Sequence, residues 1–534
     1  MKKITLAVFC LFIVNQITAQ ISFTQANIAT TGQYSLSAVD MNGDYLDDIV
    51  SVSTNSINIH FQNEDGTFTS QDFPTTSANY LPTWSIAAGD LTGNGYNDLL
   101  YGGGNGVTFM IANEDGTAYT EISGPEYVFS QRSNFVDINN DGHLDAFVCH
   151  DVAPNVYYIN DGEGNLTFNQ GGIGDYPSGG NYGSVWVDYN NDGLVDMFMA
   201  KCGGEPARRT NQLFRNNGDG TFTDVADEAG LADLIQTWSA AVGDFDNDGH
   251  MDMLVGASSF SDGGHKLMRN NGDGTFTDVT AGSGFDVFGG TSIEHATYDF
   301  NNDGYLDIFG NSSTMFLNNG DFTFTPYVVP FSGAAIADLN NDGFLDAFRG
   351  NEISYNVGNN NNWIVLNTQG VESNRNGIGA RVEIYSNLGT QIRDIRSGEG
   401  FKYMSTLNTH FGIGTDTEID QIIIRWPSGI VDLIENPDIN TVHLIIEGQN
   451  VLGTEDQVLA PITLYPNPAN DQLNIKYNAP LAGSVASVYD VSGRAILTQT
   501  LKENALNISN LTTGTYFLNL NVEGKSITLR FIKK

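Results

Sequence analysis

The chain has 534 residues, of which 40% are hydrophobic and 11% aromatic, so it is long enough for several domains with substantial cores. Its 63 acidic residues outnumber its 23 lysines and arginines and give a formal net charge of −40. Such a charge repels phosphate backbones and anionic membrane surfaces, so the composition argues against a nucleic acid partner.

The first residues, MKKITLAVFCLFIVNQITAQ, combine two lysines, an apolar run from Ile4 to Val14 and the small Ala19 ahead of Gln20. This layout predicts a cleavable secretory signal peptide over residues 1–19, because the apolar run is too short to span a bilayer comfortably. No later stretch approaches the roughly 18 uninterrupted apolar residues of a membrane helix, so we expect no integral membrane span. The mature protein is expected to be exported and soluble.

Two cysteines remain after removal of the signal peptide, Cys149 and Cys202. Two cysteines cannot form a disulfide scaffold that stabilises the whole protein. Each follows an acidic motif by a few residues, so a disulfide between neighbouring repeats and two buried thiols are both open at this point.

An acidic pattern, D-x-[NDT]-x-[DN]-[GY]-x-x-D, occurs seven times with starts 39 to 56 residues apart. A period of this length is typical of propeller blades and not of helical solenoids. The copies are DMNGDYLDD (40–48), DLTGNGYND (90–98), DINNDGHLD (137–145), DYNNDGLVD (188–196), DFDNDGHMD (244–252), DFNNDGYLD (299–307) and DLNNDGFLD (338–346).

Each copy is followed by a short apolar strand, and the first six repeats also contain a hairpin signal such as NNGDGTF (216–222). Asp-Gly and Asn-Gly supply the positive φ that tight hairpins need, so each repeat predicts a small antiparallel sheet. We therefore predict an all-β fold with a seven-bladed β-propeller over residues 21–358. The seventh repeat lacks the last strand, and ISFTQ (21–25) is predicted to complete that blade.

The crowded carboxylates predict a cation site in each loop. Three carboxylates about 5 Å apart repel by roughly 3 kcal/mol per pair at an effective dielectric near 20. Oxygen ligands at positions 1, 3, 5 and 9, with a carbonyl at position 7, suit Ca²⁺ better than Mg²⁺, and the lack of a His/Cys cluster disfavours zinc. An EF-hand is excluded because position 12 is apolar in several copies, as at Val148, Met199 and Val255.

We predict up to seven bound Ca²⁺, one per blade, with the second loop the weakest because it keeps only two carboxylates. Ordinary Asx-rich turns with solvated charges are the alternative. The predicted ligands are Asp40, Asn42, Asp44 and Asp48; Asp90, Thr92, Asn94 and Asp98; Asp137, Asn139, Asp141 and Asp145; Asp188, Asn190, Asp192 and Asp196; Asp244, Asp246, Asp248 and Asp252; Asp299, Asn301, Asp303 and Asp307; and Asp338, Asn340, Asp342 and Asp346.

Because of these loops, residues 21–358 resemble the FG-GAP/VCBS repeats of integrin-α-type seven-bladed propellers. This resemblance implies calcium within each blade. Residues 359–448 resemble the ASPIC/UnbV domain of the cartilage acidic protein family, in stretches such as SNRNGIGARVEIY (373–385), RSGEGF (396–401) and HFGIG (410–414). The alternating strands of this region predict a small β-domain. Arg381, Arg425 and Trp426 mark a binding face there or, alternatively, Trp426 lies in the core and the arginines pair with nearby acids.

After a linker at residues 449–458, residues 459–534 resemble the C-terminal sorting domain of type IX secretion substrates, in LYPNPANDQLNI (464–475) and VYDVSGRAIL (488–497). This resemblance implies a β-sandwich recognised by the outer-membrane translocon. It also implies a Gram-negative protein that is secreted or tethered to the outer-membrane surface.

The sequence contains no G-x-S-x-G elbow, HExxH helix or P-loop, so we predict no catalytic residues. The favoured function is a non-enzymatic calcium-binding module for adhesion that binds a glycan or a surface protein. The alternatives are a surface-layer component and a carbohydrate-active enzyme, a lyase or hydrolase of acidic polysaccharide acting at the propeller mouth. Isolated basic or amphoteric residues that would serve such an enzyme are interpreted as solvated loop residues or local ion pairs: Lys201, Arg208, Arg209, His265, Lys266, Glu294 and His295.

Overall fold

The computed structural model describes residues 21–311, 313–450, 463–476, 481, 483–490, 494–502, 504–522 and 525–534. The predicted signal peptide and most of the predicted linker lie outside these residues. The described residues 21–450 form one compact unit, and those from 463 onward form a second. No helix among the described residues is long and apolar enough to cross a membrane.

The first unit begins with seven four-stranded antiparallel sheets, numbered here in chain order. Strand β1 (Phe23–Asn27) precedes sheet 1, which contains β2 (Tyr34–Val39), β3 (Asp48–Ser53), β4 (Ser56–Gln62) and β5 (Phe68–Pro74). Sheet 2 contains β6 (Ser85–Gly89), β7 (Asp98–Gly102), β8 (Val107–Ala112) and β9 (Tyr119–Ile122). Sheet 3 contains β10 (Ser130–Val136), β11 (Asp145–His150), β12 (Val156–Asn160) and β13 (Leu166–Gln170).

The next three sheets follow the same order, with two single-turn helices among their strands. Sheet 4 contains β14 (Asn181–Val187), β15 (Asp196–Lys201), then helix α1 (Pro206–Arg209), β16 (Gln212–Asn216) and β17 (Phe222–Asp224). After helix α2 (Ala226–Ala229), sheet 5 contains β18 (Thr237–Gly243), β19 (Asp252–Ala257), β20 (Lys266–Asn270) and β21 (Phe276–Asp278). Sheet 6 contains β22 (Ala296–Tyr298), β23 (Asp307–Asn311), β24 (Thr314–Asn318) and β25 (Phe324–Val328).

Sheet 7 is assembled from both ends of this region. It contains β26 (Ala335–Ala337), β27 (Asp346–Arg349) and β28 (Glu352–Asn356), and its fourth strand is β1. The pairing is antiparallel, from Phe23 opposite Asn356 to Asn27 opposite Glu352. The prediction that the N-terminal strand completes the last sheet is confirmed, and it covers an edge that would otherwise be unpaired.

Hydrophobic clusters join each sheet to the next. Sheets 1 and 2 share one cluster, sheets 2 and 3 another, and the series continues to sheets 6 and 7. A further cluster joins sheet 7 back to sheet 1 through Ala337 and Phe348 on one side and Ala38 and Ile49 on the other. The predicted all-β class is therefore confirmed, and the sheets follow one another in circular order.

Both remaining cysteines are buried free thiols. The Cys149 sulfur lies 3.4 Å from the Ser184 hydroxyl, and the Cys202 sulfur accepts a 3.2 Å hydrogen bond from the Trp238 indole. Of the two arrangements that the sequence left open, the structure has the buried thiols and no disulfide between them.

A small β-domain follows within the same unit. Its strands are β29 (Asn362–Gln369), β30 (Arg381–Ser386), β31 (Gly389–Asp394), β32 (Thr409–Gly414), β33 (Gln421–Arg425), β34 (Val431–Glu435) and β35 (Val442–Ile446). They form a three-stranded sheet, β32-β29-β35, and a four-stranded sheet, β31-β30-β33-β34. Its apolar core is continuous with that of sheets 2 and 3, since Ile364, Val382 and Trp426 belong to the same cluster as Phe135.

The second unit also consists of two sheets. Its strands are β36 (Thr463–Tyr465), β37 (Gln472–Lys476), β38 (Val485–Asp490), β39 (Ala495–Thr500), β40 (Ala505–Asn507), β41 (Gly514–Val522) and β42 (Lys525–Lys533). The sheets β36-β37-β40 and β39-β38-β41-β42 share one apolar core that includes Leu473, Val488 and Leu518.

Residues 396–408, between β31 and β32, leave the small β-domain and run among the first strands of the seven sheets. We call them the axial segment. Its backbone pairs with sheet 1, where Ala38 donates to the Met404 carbonyl (3.0 Å), and with sheet 2, where Ile86 donates to the Lys402 carbonyl (3.2 Å). In sheet 7, the Ile336 carbonyl accepts from Thr406 (2.9 Å).

Side chains extend these contacts to further sheets. The Asn134 amide in sheet 3 donates to the Ser397 carbonyl (2.8 Å), and the Arg396 guanidinium donates to the Val242 carbonyl in sheet 5 (3.2 Å). In sheet 6, the Thr297 N–H donates to Glu399 (3.1 Å). The axial segment therefore occupies the centre of the circular array.

Candidate calcium-binding loops

The seven acidic loops occupy the same place in every sheet. Each joins the C-terminal end of a first strand to the start of the second strand, as Asp137–Asp145 does between β10 and β11. We call the side of the array that carries them the loop face, and the side where the first strands begin the far face. All predicted ligands therefore lie on the loop face, four to each loop.

The loop of sheet 3 illustrates the common geometry. The position-1 carboxylate, Asp137, accepts backbone hydrogen bonds from Asp141 (3.1 Å) and Gly142 (2.9 Å). The position-9 carboxylate, Asp145, accepts from Ile138 (2.9 Å) and from Asn160 at the end of the third strand (2.8 Å). These bonds fold the loop back on itself and direct both carboxylates inward.

The position-9 carboxylates are fully buried, and burial raises their pKa values. The pKa is raised to about 7 for Asp145 and to about 8 for Asp98 and Asp196, with burial as the largest cause. Burial disfavours the charged form of such a carboxylate, and a bound cation would favour it. The loops therefore have the electrostatic character of cation sites.

The donor set fits calcium. In the loop of sheet 5, oxygens of Asp244, Asp246 and Asp252 lie within 4.8 Å of one another. Among the described residues, Oδ1 of Asp246 and Oδ2 of Asp196 are buried oxygens without a hydrogen-bond donor. Carboxylate and amide oxygens are the ligands that Ca²⁺ takes, so the residues of these loops are suited to hold it.

The second loop differs from the others. The Arg375 guanidinium of the small β-domain lies 3.6 Å from the Asp90 carboxylate. The Asn94 amide donates to the Ala112 carbonyl (3.0 Å). Part of the negative charge in this loop is therefore compensated by a protein cation, as it also is in the fifth loop, where Arg269 lies 2.8 Å from Asp246. That the second loop is the weakest site stays a prediction from its two remaining carboxylates.

Sequence analysis missed a set of buried asparagines that link neighbouring loops. Asn160 ends the third strand of sheet 3, and its amide donates to the Leu91 carbonyl of the preceding loop (2.8 Å) and to the Leu144 carbonyl of its own (3.0 Å). Asn270, Asn318 and Asn356 make the corresponding pair of bonds in sheets 5, 6 and 7. For Asn160, Asn270 and Asn318 the signal is the first Asn of the hairpin motif, whereas Asn356 lies in the seventh repeat, which has no such motif.

The small β-domain is seated on the loop face. The Arg381 guanidinium donates to the Asp188 carbonyl (2.6 Å) and pairs with Asp394 (2.7 Å), while the His410 ring bonds the Gly343 carbonyl (2.8 Å). Arg425 pairs with Glu383 (2.6 Å). Both arginines thus pair with nearby acids, which is the second of the two interpretations given above.

Trp426 also follows that second interpretation. It is 3% exposed, and its indole N–H donates to Asp432 (2.7 Å). This tryptophan is a core residue of the small β-domain.

Three of the isolated basic residues form local ion pairs on the far face, as predicted. Arg208 pairs with Asp151, Arg209 with Asp262 (3.0 Å) and Lys266 with Asp233 (3.7 Å).

The interpretation as solvated loop residues is wrong for Lys201, His265, Glu294 and His295, which are all buried. The Lys201 ammonium donates to the Gly179 carbonyl (2.9 Å) and the Asn181 amide oxygen (2.7 Å), and the Nδ1 atom of His295 lies 3.0 Å from the Ser239 hydroxyl. They are buried because they follow or precede core strands, where tertiary contacts supply their partners.

Glu294 is the carboxyl that anchors the axial segment. It accepts the Phe401 N–H (2.7 Å) and faces the Arg132 guanidinium, the Lys402 ammonium and the Tyr403 hydroxyl, with His295 next to it in the chain. Burial raises its pKa from an ordinary 4.5 to about 7. Because the folded pKa is the higher one, the stability that the protonated carboxyl contributes is complete below pH 4.5 and is lost as pH rises towards 7.

We therefore expect Glu294→Gln to gain stability relative to the unmodified protein by about 3 kcal/mol between pH 4 and pH 8. Chemical unfolding at a series of pH values measures this difference. Glu163→Gln, at an exposed position, is the matched control, and its free energy of unfolding should change with pH as that of the unmodified protein does. A stability difference between Glu294→Gln and the unmodified protein that stays constant across this pH range would contradict the expectation.

Comparison with known proteins assigns each part of the chain to a family. A family model described as an FG-GAP-like repeat matches six successive segments, residues 40–101, 90–148, 137–199, 188–255, 256–310 and 299–349, which together cover more than half of the chain. A model described as ASPIC and UnbV matches residues 370–452. A secretion system C-terminal sorting domain matches residues 463–534.

Among curated proteins, cartilage acidic protein 1 of Homo sapiens is 30% identical over 296 residues, 53% of this chain and 39% of the human protein. The Mus musculus protein is 28% identical over 319 residues, 57% of this chain and 43% of its own. The chain thus spans about two fifths of the length of these relatives. PorZ, a surface component of the type-IX secretion system of Porphyromonas gingivalis, aligns over 95% of this chain and 82% of its own, with 12% identity and a TM-score of only 0.20.

Proposed function

The chain belongs to the family of FG-GAP-like repeat proteins, and we propose that its seven sheets form a calcium-stabilised, seven-bladed β-propeller that binds a glycan or a protein outside the cell. The sorting domain at residues 463–534 makes it a protein that is secreted or held at the outer-membrane surface. In our proposal, the type IX outer-membrane translocon recognises that domain.

The observation that carries the proposal is the repetition of buried carboxylates, one loop to every sheet. A site that occurs once can be a local turn, but the inward-facing pair at positions 1 and 9 recurs from loop to loop, and both carboxylates are buried in Asp244 with Asp252 and in Asp299 with Asp307. Metal bound in these loops would neutralise them and fix the link between first and second strands. Calcium then has a structural role, and the ligand of the module binds elsewhere.

The far face is the side available for such a ligand. The loop face is covered by the small β-domain through Arg381, His410 and Asn376, and the centre is occupied by the axial segment. Exposed apolar side chains occur in far-face connections, including Tyr127 (57% exposed) and Val287 (83%). An adhesion or capture module needs a stable scaffold with one exposed face, which is the arrangement found here.

Retention of the mature protein on immobilised extracellular polysaccharides and cell-surface extracts tests the proposal. With calcium we expect retention by at least one of these materials, and we expect its loss when a chelator unfolds the sheets. Arg215→Ala, which removes an exposed arginine of β16, is a suitable control and should be retained like the unmodified protein. No retention by any material in the presence of calcium would contradict the proposal.

The same incubations separate the alternatives. A lyase or hydrolase would release unsaturated ends or new reducing ends from acidic polysaccharide, whereas our proposal expects neither. A surface-layer component would assemble into large particles without a ligand, which light scattering would detect. We expect a particle size that is independent of protein concentration.

A further inference from the structure

Four aromatic residues mark the beginnings of four first strands on the far face. Trp84 and Phe129 immediately precede β6 and β10, and Tyr182 and Trp238 are the second residues of β14 and β18. An acidic loop follows the other end of each of these strands. The four rings therefore lie on the side of the array away from the carboxylates.

These rings converge over the tip of the axial segment. The Trp84 ring lies 5.8 Å from Phe129 and 6.4 Å from Trp238, measured between centroids, and Trp238 lies 4.8 Å from Tyr182. Phe401 of the axial segment lies 5.0 Å from Trp238 and 6.4 Å from Trp84. We call these five residues the aromatic mouth.

The aromatic mouth has a floor and an open rim. Phe401 is 1% exposed, whereas Trp84, Phe129, Tyr182 and Trp238 all remain partly exposed. Large rings that stay partly in water while stacked against one another form a platform on which another flat, partly apolar ring can stack. A cluster that served only to close the core would be expected to bury all of its rings.

The charge around the aromatic mouth is unlike that of the rest of the chain. Its neighbouring acids are Asp151 and Asp262, which are paired with Arg208 and Arg209, and the buried Glu294, which accepts the Phe401 N–H. Lys402 directly follows Phe401 and interacts electrostatically with Glu294 and Arg349. Arg349 ends β27 on the far face, is exposed, and donates to the Ser332 hydroxyl (2.5 Å).

Lys402 thus lies next to Phe401 in the chain, and Arg349 interacts with Lys402, in a protein with a net charge of −40. An anionic ligand would be repelled from most of the surface and accepted here, where Lys402 and Arg349 supply local positive charge. A nucleic acid or an anionic bilayer presents negative charge over a much larger area and would meet the acidic remainder of the protein. The geometry favours a small anionic group on a flat ring.

We propose that the aromatic mouth binds an anionic saccharide, which names the site and the ligand class of the glycan-binding function proposed above and rests on it. The C–H face of a sugar ring stacks on Trp84 and Trp238, and its carboxylate or sulfate lies against Lys402 and Arg349. Aromatic side chains combined with a few placed polar groups are the usual composition of a ligand site. The Tyr182 hydroxyl donates to Asp151 (3.3 Å), and its oxygen can still accept a hydrogen bond from a sugar hydroxyl.

Calorimetric titration of the full mature protein in calcium tests this proposal with three probes of equal length. They are a hyaluronan hexasaccharide, which carries carboxylates, a chondroitin sulfate hexasaccharide, which also carries sulfates, and the neutral cellohexaose. We expect both anionic probes to bind more tightly than cellohexaose, and the better of the two identifies the anion. Trp84→Ala is expected to weaken their binding at least about 10-fold, as for a central aromatic contact.

Lys402→Met should weaken binding of the anionic probes by about 5-fold and leave cellohexaose unchanged, because only the charge pairing is removed. Lys266→Met is the matched control, since Lys266 pairs with Asp233 away from the rings, and it should bind like the unmodified protein. Trp84→Phe keeps a ring and is expected to retain most of the affinity. Thermal unfolding of every variant in calcium checks that the fold is kept.

Several outcomes would overturn the inference. One is that the unmodified protein binds neither anionic probe, and another is that Trp84→Ala binds them as well as the unmodified protein does. Tight binding of an acidic peptide in place of the saccharides would also refute the ligand class. If Trp84→Ala is still retained on surface extracts, the proposed function holds but the aromatic mouth is not its site. Failure of the site and failure of the function are therefore distinguishable.

Discussion

Removal of calcium is expected to lower the unfolding temperature of the first unit by more than about 10 °C, because each site saturated 1,000-fold above its Kd contributes about 4 kcal/mol and several such sites add. The buried carboxylates of the loops are the reason. Once the cation leaves, Asp145 and Asp196 each face the other carboxylates of their own loop without compensation, and burial penalises their charge. Calorimetry of natively purified protein with and without EGTA, together with elemental analysis, measures both the effect and the metal content.

A single substitution gives a sharper version of this test. Asp141→Asn removes an exposed position-5 carboxylate of the third loop, where Asp141 accepts the His143 N–H (3.0 Å). In calcium the variant should be less stable and should bind one ion fewer or more weakly. With EGTA the same variant should be as stable as the unmodified protein or more so, since one repelling charge is gone.

Asp115→Asn is the matched control, because Asp115 is also exposed and accepts the N–H two residues further on (Thr117, 3.1 Å), but in a hairpin turn. It should change stability equally with and without calcium. Negligible calcium in the purified protein, together with unfolding that is indifferent to EGTA, would refute the calcium assignment. So would a stability change for Asp141→Asn that is the same in both conditions.

Gly398→Ala is expected to lower the free energy of unfolding by roughly 2–5 kcal/mol, from the cost of a left-handed alanine and of overpacking. Gly398 lies in the axial segment at a φ of +92°, and an added Cβ would overlap the guanidinium of Arg132. Arg132 is fully buried and donates to the Tyr403 carbonyl (2.8 Å), so it has little room to move. Denaturant unfolding followed by circular dichroism measures the loss.

Gly389→Ala separates the two causes. Gly389 begins β31 at a φ of +107°, and an added Cβ would have no atom within 4 Å. It therefore carries the backbone strain without the collision and should cost only about 1–2 kcal/mol. If both variants lose the same amount, the packing of the axial segment against Arg132 contributes nothing to stability.

The sequence by itself determined the features that depend on local spacing. Acidic loops followed by short apolar strands and Asp-Gly hairpins indicated the all-β class and the position of every loop, because turn chemistry and strand alternation are set by neighbours in the chain. The likeness of ISFTQ to the strand after a DGTF turn was enough to pair β1 with the last sheet. That the second loop is the weakest calcium site stays a prediction from its two remaining carboxylates.

Only the tertiary structure decided which side chains meet across long stretches of chain. The axial segment passes through the array because Met404, Ser397 and Thr406 bond backbone groups of sheets that lie far from them in the chain. No local pattern in RSGEGF encodes these pairings. The same holds for the burial of Lys201 and for the convergence of Trp84 and Trp238. A residue's local sequence sets its backbone conformation, but its burial and its charge environment are set by packing between distant elements.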